Sequence, residues 1–423
     1  MIPERGVPHH AARAPQSGRV SLRADGGLLV ARVLMAWELG AGYGHLAPLL
    51  TLARPLVAAG HHVSFVVRDV ASAEAVLGGS GIPCYPAPAN FSPSGGVTLH
   101  SFPQILLSTA FNSEDELRAR VRAWQSLYAL LEPDLLVADH APSALLAARG
   151  TRIRCIVTGN GFVIPPDVTP MPELRSWKPE DPAVLERAEN RALDMANGVA
   201  RSLKLPRLDR LGQLYGSASP ALLTLRELDN YADSRQGVEY WGTLPGPGSA
   251  APQWPTGEGK RVFMYGQPYP SLPDVLTALA RGPHRTLVYM PKAGPELRKL
   301  AGPHLAFADV LMDMRAVTHS CDCAVMTNGH GTTSAMLLAG KPVVLLPQHL
   351  EMLLIAQCVE QAGAGLSAPA LKLEGILGKL GRVLSEESFT TKARELAARY
   401  VGMDDETPVR NFQALVQRLL AET

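Results

Sequence analysis

The chain has 423 residues, 46% of them hydrophobic and 19% charged, with 40 Lys+Arg against 39 Asp+Glu and a formal net charge of +1 at pH 7. That length implies two or three domains, each able to bury a full core, and excludes a peptide hormone, a zinc knuckle or a disulfide-stapled mini-domain. The balance of charge excludes a global field for nucleic acid or an anionic membrane surface, so any charged ligand must be met locally.

The composition is that of a folded globular protein, not of a chain disordered over its whole length. Five cysteines are scattered, and the only close pair, Cys321-x-Cys323, fits neither a disulfide framework nor a zinc knuckle. A reducing compartment is the simpler reading. No stretch approaches the ~20 apolar residues that a membrane helix needs. Residues 1–27 carry Arg and Pro throughout with no apolar core, so they read as a disordered tail or as coding sequence upstream of the true start, not as a secretory signal. These features predict a cytoplasmic protein. Deleting residues 1–27 is expected to leave folding and activity intact, as a melt and an activity assay of the shortened chain would check.

The first element is a buried-length strand, LLVARVLMAW (28–37), followed by Gly40, Gly42 and Gly44. A helix follows, with Leu46, Leu49, Leu50, Ala53, Leu56 and Val57 at helical spacing and a cap at Gly60. Pro48 suits its first turn, whereas Pro55 in the interior costs about 3 kcal/mol or kinks the axis. HHVSFVVRD is a second strand, which makes a βαβ unit with a right-handed crossover. Further on, SEDELRARVRAWQSLYALLEP reads as a helix leading into the strand DLLVAD (134–139), and APSALLAARG as a helix leading into RIRCIVTG. A polar helical stretch comes next, and then two Gly/Pro clusters within 240–260 read as a linker. Beyond it the strand–helix alternation restarts: RVFMYG, SLPDVLTALARG, RTLVYMP, HLAFADVLM, CAVMT, TTSAMLLAG, VVLLP and a helix from Met352 through Gln361. Two doubly wound halves place a ligand crevice between them, outside the carboxyl ends of the strands.

Two junctions could carry chemistry. In CAVMTNGHGTTSAMLLAGKPVVLLP (323–347) a strand ends at Met326 or Thr327, Gly329 and Gly331 turn the chain, and a helix starts near Thr332 and Thr333. Free N–H groups and the helix dipole there suit a diphosphate; an ordinary glycine-assisted turn with a threonine cap fits the same spacing. In the first half, His45 falls in the first turn of a helix, where the dipole disfavours imidazolium and predicts a neutral base at physiological pH. Asp139 ends a parallel strand on the same rim and could orient that ring. His61, His62 and His140 lack metal-site spacing and read as structural. No Asp-x-Asp suggests a carboxylate-held metal, and no G-x-S-x-G elbow is present.

The block GHGTTSAMLLAGKPVVLLPQHLEMLLIAQCVEQAGAG (329–365) resembles the donor-binding signature of the family 1 UDP-glycosyltransferases, including the bacterial macrolide-type enzymes. There a His-Gly-Gly-x-Gly-Thr loop precedes a helix, a Gly-x-Pro strand, a Pro, an Asp-Gln pair and a terminal Gly-x-Gly. GHLAPLLTLARPLVAAGHHVSFVV (44–67), LVADHAPSALLAA (136–148) and YWGTLPG are similar to the family's opening, to the strand supplying the base's aspartate, and to the junction before the donor domain. The resemblance spans about residues 31–400.

What it implies is a GT-B fold, α/β, with two Rossmann-like doubly wound parallel-sheet domains facing across a cleft. The divisions are an acceptor domain over 28–239, the linker 240–260, a nucleotide-sugar domain over 261–403, and a final helix within 404–423 returning to the first domain. The implied reaction is inverting, metal-independent sugar transfer without a cofactor, from a nucleotide diphosphate sugar to a hydroxyl of a small, partly apolar acceptor. His45 is the implied base and Asp139 its partner. Thr327, Asn328, Gly329, His330, Gly331, Thr332 and Thr333 are the implied diphosphate site. Thr327 stands where the family has its phosphate-binding histidine, and His330 could restore the missing positive charge. Glu351 and Met352 take the places of the sugar-binding Asp-Gln pair. Phe102, Phe111, Trp124 and Tyr128 lie where family members build an acceptor pocket, although aromatics at helical spacing also suit a core; the GNGFVIPP turn, with Asn160 and Phe162, could line the same cleft.

Two other readings stay open on these residues. Gly40-Ala-Gly42-Tyr-Gly44 with Asp69 at the end of the second strand fits a dinucleotide oxidoreductase, except that His45 occupies the third-glycine position. Thr327 and Met352 also fit a non-catalytic nucleotide-sugar-binding protein. Monomer and homodimer fit the sequence equally.

Overall fold

The computed structural model describes residues 30–40, 43–88, 98–244, 246, 248–327 and 329–422. The tail 1–27, Gly42, Asn328 and two positions of the 240–260 segment lie outside the described residues.

Among the described residues twelve strands form two six-stranded sheets, parallel throughout. The first holds β1 (Arg32–Trp37), β2 (His62–Val67), β3 (Cys84–Pro86), β4 (Leu135–Asp139), β5 (Arg154–Gly159) and β6 (Ser219–Leu222) in the order β3-β2-β1-β4-β5-β6. The second holds β7 (Arg261–Tyr265), β8 (Arg285–Tyr289), β9 (Leu305–Ala308), β10 (Cys323–Met326), β11 (Val343–Leu345) and β12 (Gly365–Ser367) in the order β12-β11-β10-β7-β8-β9. Both orders are the doubly wound one. The order therefore reverses between β1 and β4 and again between β7 and β10, and at such a switch point the connections diverge to opposite faces and leave a crevice at the strands' carboxyl ends.

The strands are apolar on both faces because helices cover both. Leu34, Ala36, Leu136 and Ala138 pack on one side of the first sheet with Phe102, Phe111, Trp124 and Tyr128. Val33, Met35, Trp37 and Phe65 pack on the other with Leu46, Leu49 and Leu56. The second sheet repeats the arrangement with Phe263 and Leu287 on one face, Val262, Met264 and Val288 on the other.

Helix Tyr43–Ala58 runs through both Pro48 and Pro55 without ending. Leu46, Leu49, Leu50, Leu52, Ala53 and Leu56 are all buried beneath it, and that burial, at about 1.5–3 kcal/mol for each large side chain, outweighs the interior proline.

Three segments tie the halves together. Leu225 and Leu228 pack into the second domain's core, although the chain reaches β7 only at Arg261. Helix Leu350–Gln361 turns Met352 and Ile355 into that same core and Leu354 into the core of the first domain. Helix Thr407–Ala421 lays Phe412, Leu415, Val416, Leu419 and Leu420 against Leu46 and Leu49 of the first domain. No helix among the described residues is long and apolar enough to cross a membrane.

Candidate active site

Trp37 ends β1 and Asp139 ends β4, and these two residues are paired in register across the switch point. His45, in the first turn of helix Tyr43–Ala58, comes back over them. Its ring stacks on the Trp37 indole with centroids 5.3 Å apart and planes at 19°, and its Nδ1 lies 3.0 Å from Asp139 Oδ1. With Nδ1 donating to the carboxylate, Nε2 keeps its lone pair. Gly40 completes the seat: its φ is +88, and a β-carbon there would collide with His45 Nε2.

Burial pulls the His45 pKa down, but the charge of Asp139, the hydrogen bond to it and the nearby Glu351 carboxylate together raise it above the ordinary imidazole value. The net shift runs opposite to the one that the helix dipole would give by itself. A carboxylate in contact outweighs a partial charge spread over a helix turn. Asp139 is itself pushed up by burial, which the His45 contact only partly offsets.

Across the crevice, β10 leads into helix His330–Leu338 with Gly329 as N-cap at φ +108 and no side-chain cap. A β-carbon on Gly329 would stand 2.9 Å from the Tyr265 ring, so the turn packs directly on the end of β7. Gly331 is exposed, and Gly329 and Thr332 are half-buried on the surface of the first turn. The helix begins two residues earlier than the sequence suggests, and its N-cap is glycine, not threonine.

Several motif side chains do not face this surface. Thr327 is buried; its Oγ1 accepts the Gln267 N–H at 2.7 Å and approaches the Gln267 carbonyl at 3.3 Å. It joins the ends of β7 and β10 and is not presented to a phosphate, and Gly266 has no room for a side chain because Thr327 Oγ1 fills that space. Thr333 is also buried, its Oγ1 donating to the Gly329 carbonyl at 2.9 Å. His330 offers no compensating charge. Its Nε2 pairs with Thr224 Oγ1 of the first domain at 2.8 Å, and burial, against the pull of Glu351 and Asp229, takes its pKa down to about 4. Met352 is buried in the second domain's core.

Thr327→Val is accordingly expected to cost about 1 kcal/mol of stability through the lost hydrogen bond, with donor affinity unchanged. Denaturant melts beside calorimetry with a nucleotide diphosphate would read both.

Glu351, next to Met352 on the same helix, does reach the cleft. Its Oε1 accepts from Asn160 Nδ2 at 2.5 Å, and its charge acts on both His45 and His330. Asn160 precedes the turn Gly161–Val163, and half-buried Phe162 there meets the His140 ring edge-on at 6.4 Å. Phe102 and Phe111, by contrast, are wholly buried in the first domain's core, as are Trp124 and Tyr128. Their helical spacing reflects packing, and the aromatic acceptor wall reduces to Phe162.

A buried ion pair holds that turn. Arg235 Nε contacts Asp229 Oδ2 at 2.6 Å, Tyr240 Oη donates to the same oxygen at 2.8 Å, and Arg235 also donates to the carbonyls of Gly161 and Ile164. No sequence motif marks Asp229, Arg235, Thr224, Trp37 or Gly40 as part of the site. Only the glycine spacing after β1 hinted at one of them.

Asp69, the acid of the dinucleotide reading, caps helix Val70–Leu77 by accepting from the N–H groups of Ala71 and Ser72 at 3.1 and 3.0 Å. Gly40 clears the His45 ring. The two features that favoured a nicotinamide or flavin cofactor thus have other uses. Among the described residues no group of three or more His, Cys, Asp or Glu could hold a metal ion.

No family model matches the chain. Partial sequence matches include a sterol 3-beta-glucosyltransferase of Vanderwaltozyma polyspora, 36% identical over 78 residues, 18% of this chain and 6% of that protein. A PGL/p-HBAD biosynthesis glycosyltransferase of Mycobacterium tuberculosis is 35% identical over 129 residues, 30% of this chain and 29% of that protein. The chain therefore spans under a third of the length of either relative.

Solved structures are similar over most of the chain. The calicheamicin glycosyltransferase CalG4 has a TM-score of 0.68 at 19% identity, covering 93% of this chain and 99% of that one. The spinosyn rhamnosyltransferase SpnG, in complex with spinosyn aglycone, gives 0.63 at 17%, covering 90% and 99%. SsfS6 of Streptomyces sp. SF2575, in complex with thymidine diphosphate, gives 0.56 at 20%, covering 92% and 99%. With its paired doubly wound sheets and the crevice between their switch points, the chain has the GT-B fold of these glycosyltransferases.

Proposed function

We propose that this protein is an inverting, metal-independent glycosyltransferase that moves a sugar from a UDP- or dTDP-linked donor to a hydroxyl of a small, partly apolar acceptor. The observation that carries the reading is the His45–Asp139 contact at the carboxyl end of the first sheet, joined through Glu351 to the glycine-led helix start of the second. The solved structures with an aglycone and with thymidine diphosphate support the two substrate classes by likeness of fold.

In this mechanism His45 Nε2 takes the proton of the acceptor hydroxyl while Asp139 stabilises the imidazolium that forms. The acceptor oxygen attacks the anomeric carbon from the face opposite the diphosphate, and one in-line displacement inverts that carbon. The departing diphosphate gathers negative charge at the first turn of helix His330–Leu338, where backbone N–H groups and the helix dipole act as fixed donors. Glu351 accepts from a hydroxyl or amine of the sugar once Asn160 gives way to it. Because no charged side chain of the glycine turn contributes, the diphosphate is held by main-chain dipoles, and affinity depends on the backbone path through Gly329 and Gly331.

The test is a thermal-shift screen of UDP- and dTDP-sugars followed by transfer assays with and without chelator. Stabilisation by a nucleotide sugar and full transfer in chelator are the expected results. Strict dependence on added divalent metal, or no shift with any nucleotide sugar, would refute the reading.

A further inference from the structure

Beside the proposed base stands a second imidazole that the mechanism does not use. His140 follows Asp139 at the end of β4 with φ +47, in the left-handed region that side-chain-bearing residues avoid. Its carbonyl is held by the Leu39 N–H at 3.0 Å. That backbone turn brings the ring against three others: His45 at 6.3 Å between centroids, Phe102 at 6.1 Å and Phe162 edge-on at 6.4 Å. The residue is 7% exposed, and its Nε2 is buried without a hydrogen-bond partner.

Two further orphans lie at the end of the neighbouring strand. Thr158, paired in register with Asp139, has an unpartnered buried Oγ1, and Asn160 two residues on has an unpartnered buried Oδ1. Three orphaned polar atoms at the ends of two neighbouring strands, the His140 Nε2 among them, are a costly way to build an interior. A leucine at 140 would fill the same volume without an orphan atom. Burial and the neighbouring charges of His45 and Arg68 hold the His140 pKa down to about 3. The ring is therefore neutral at working pH and can neither replace His45 as base nor pair with a phosphate. What it offers is a neutral hydrogen-bonding edge next to the base.

We propose that His140 positions the acceptor: its Nε2, beside the half-buried Phe162 ring, hydrogen-bonds a second oxygen of the acceptor and so sets the reacting hydroxyl against His45. The inference rests on the glycosyltransferase reading and deepens it. The acceptor class it selects is a flat aglycone with two oxygens on adjacent carbons, one reacting at His45 and the other held by His140.

The probes are alizarin, which carries two adjacent hydroxyls, and 2-hydroxyanthraquinone, which carries one. Binding is followed by tryptophan fluorescence quenching, and transfer from UDP- and dTDP-glucose by mass spectrometry, for the wild type, His140→Leu and His140→Gln. The wild type is expected to bind alizarin about tenfold more tightly, the worth of one good hydrogen bond. His140→Leu erases the preference and lowers kcat/KM for alizarin by about tenfold, leaving kcat/KM for 2-hydroxyanthraquinone close to that of the wild type. Its melting temperature stays equal or rises, because an orphan atom is removed. His140→Gln, whose amide reaches the place of Nε2, restores the preference.

A wild type without the preference, or His140→Leu retaining it, overturns the proposal. The two readings fail separately. Preference present but no transfer in the wild type defeats the transferase and leaves the His140 contact standing; transfer present with the preference indifferent to His140→Leu defeats the contact alone.

Discussion

His45→Ala is expected to lower the rate of transfer by about 10²–10⁴-fold, the usual worth of a positioned general base, while a nucleotide diphosphate sugar binds as before. The donor's diphosphate is met in this mechanism by the turn at Gly329 and Gly331, on the other domain, so the two functions separate. Single-turnover transfer beside calorimetric donor titration measures both, and undiminished turnover would remove the proposed base. The pH profile adds an independent check. Activity requires the unprotonated ring, so kcat/KM falls as pH drops through the His45 pKa, and the carboxylate of Asp139 places that acid limb above the ordinary imidazole value. In Asp139→Asn the charge that favours imidazolium is gone, burial then dominates, and the limb moves to lower pH. The rate falls too, because the imidazolium formed in transfer loses its partner. An unmoved limb in that variant would mean that some other group titrates.

Arg235→Ala is expected to destabilise the protein by about 3–5 kcal/mol, since Asp229 would remain buried without its counter-ion. The melting temperature should fall on the order of 10 °C. Removing both charges in Asp229→Leu with Arg235→Met should recover part of the loss, because the uncompensated charge, not the missing attraction, makes the single change costly. The same guanidinium holds the carbonyls of Gly161 and Ile164, so the double variant is expected to keep stability better than it keeps acceptor affinity. Calorimetric melts beside acceptor KM values would show the split; equal recovery of both would mean that the turn keeps its position without the pair.

The crevice was legible where the chemistry is local. The apolar run through Trp37, the glycines behind it and His45 in the following helix turn lie within eighteen residues, and Asp139 ends the adjacent strand in register. The glycine turn at Gly329 follows from its own few residues in the same way. Side-chain direction within that turn was not legible. Thr327 commits its hydroxyl to Gln267, 60 positions away, and His330 its ring to Thr224, 106 positions away. Neither partner carries a mark in the sequence. Phe102 and Trp124 show the same limit from the other side: an aromatic on a helix suits a core and a pocket equally, and the choice depends on what packs opposite.

Alternating apolar strands and helices, with glycine where the chain must turn tightly, were enough to dictate paired doubly wound sheets, because each strand and helix answers to its own residues and to the need to bury one face. Which polar atoms look into the crevice is a property of distant neighbours brought together by folding. Thr327, Thr333 and Met352 were drawn into the protein interior, Glu351 was left to meet Asn160 across the domains, and the pKa of His45 rose because a carboxylate 94 positions away came within hydrogen-bonding distance. Hydrogen-bond and Coulomb energies depend on distance in space and take no account of separation along the chain.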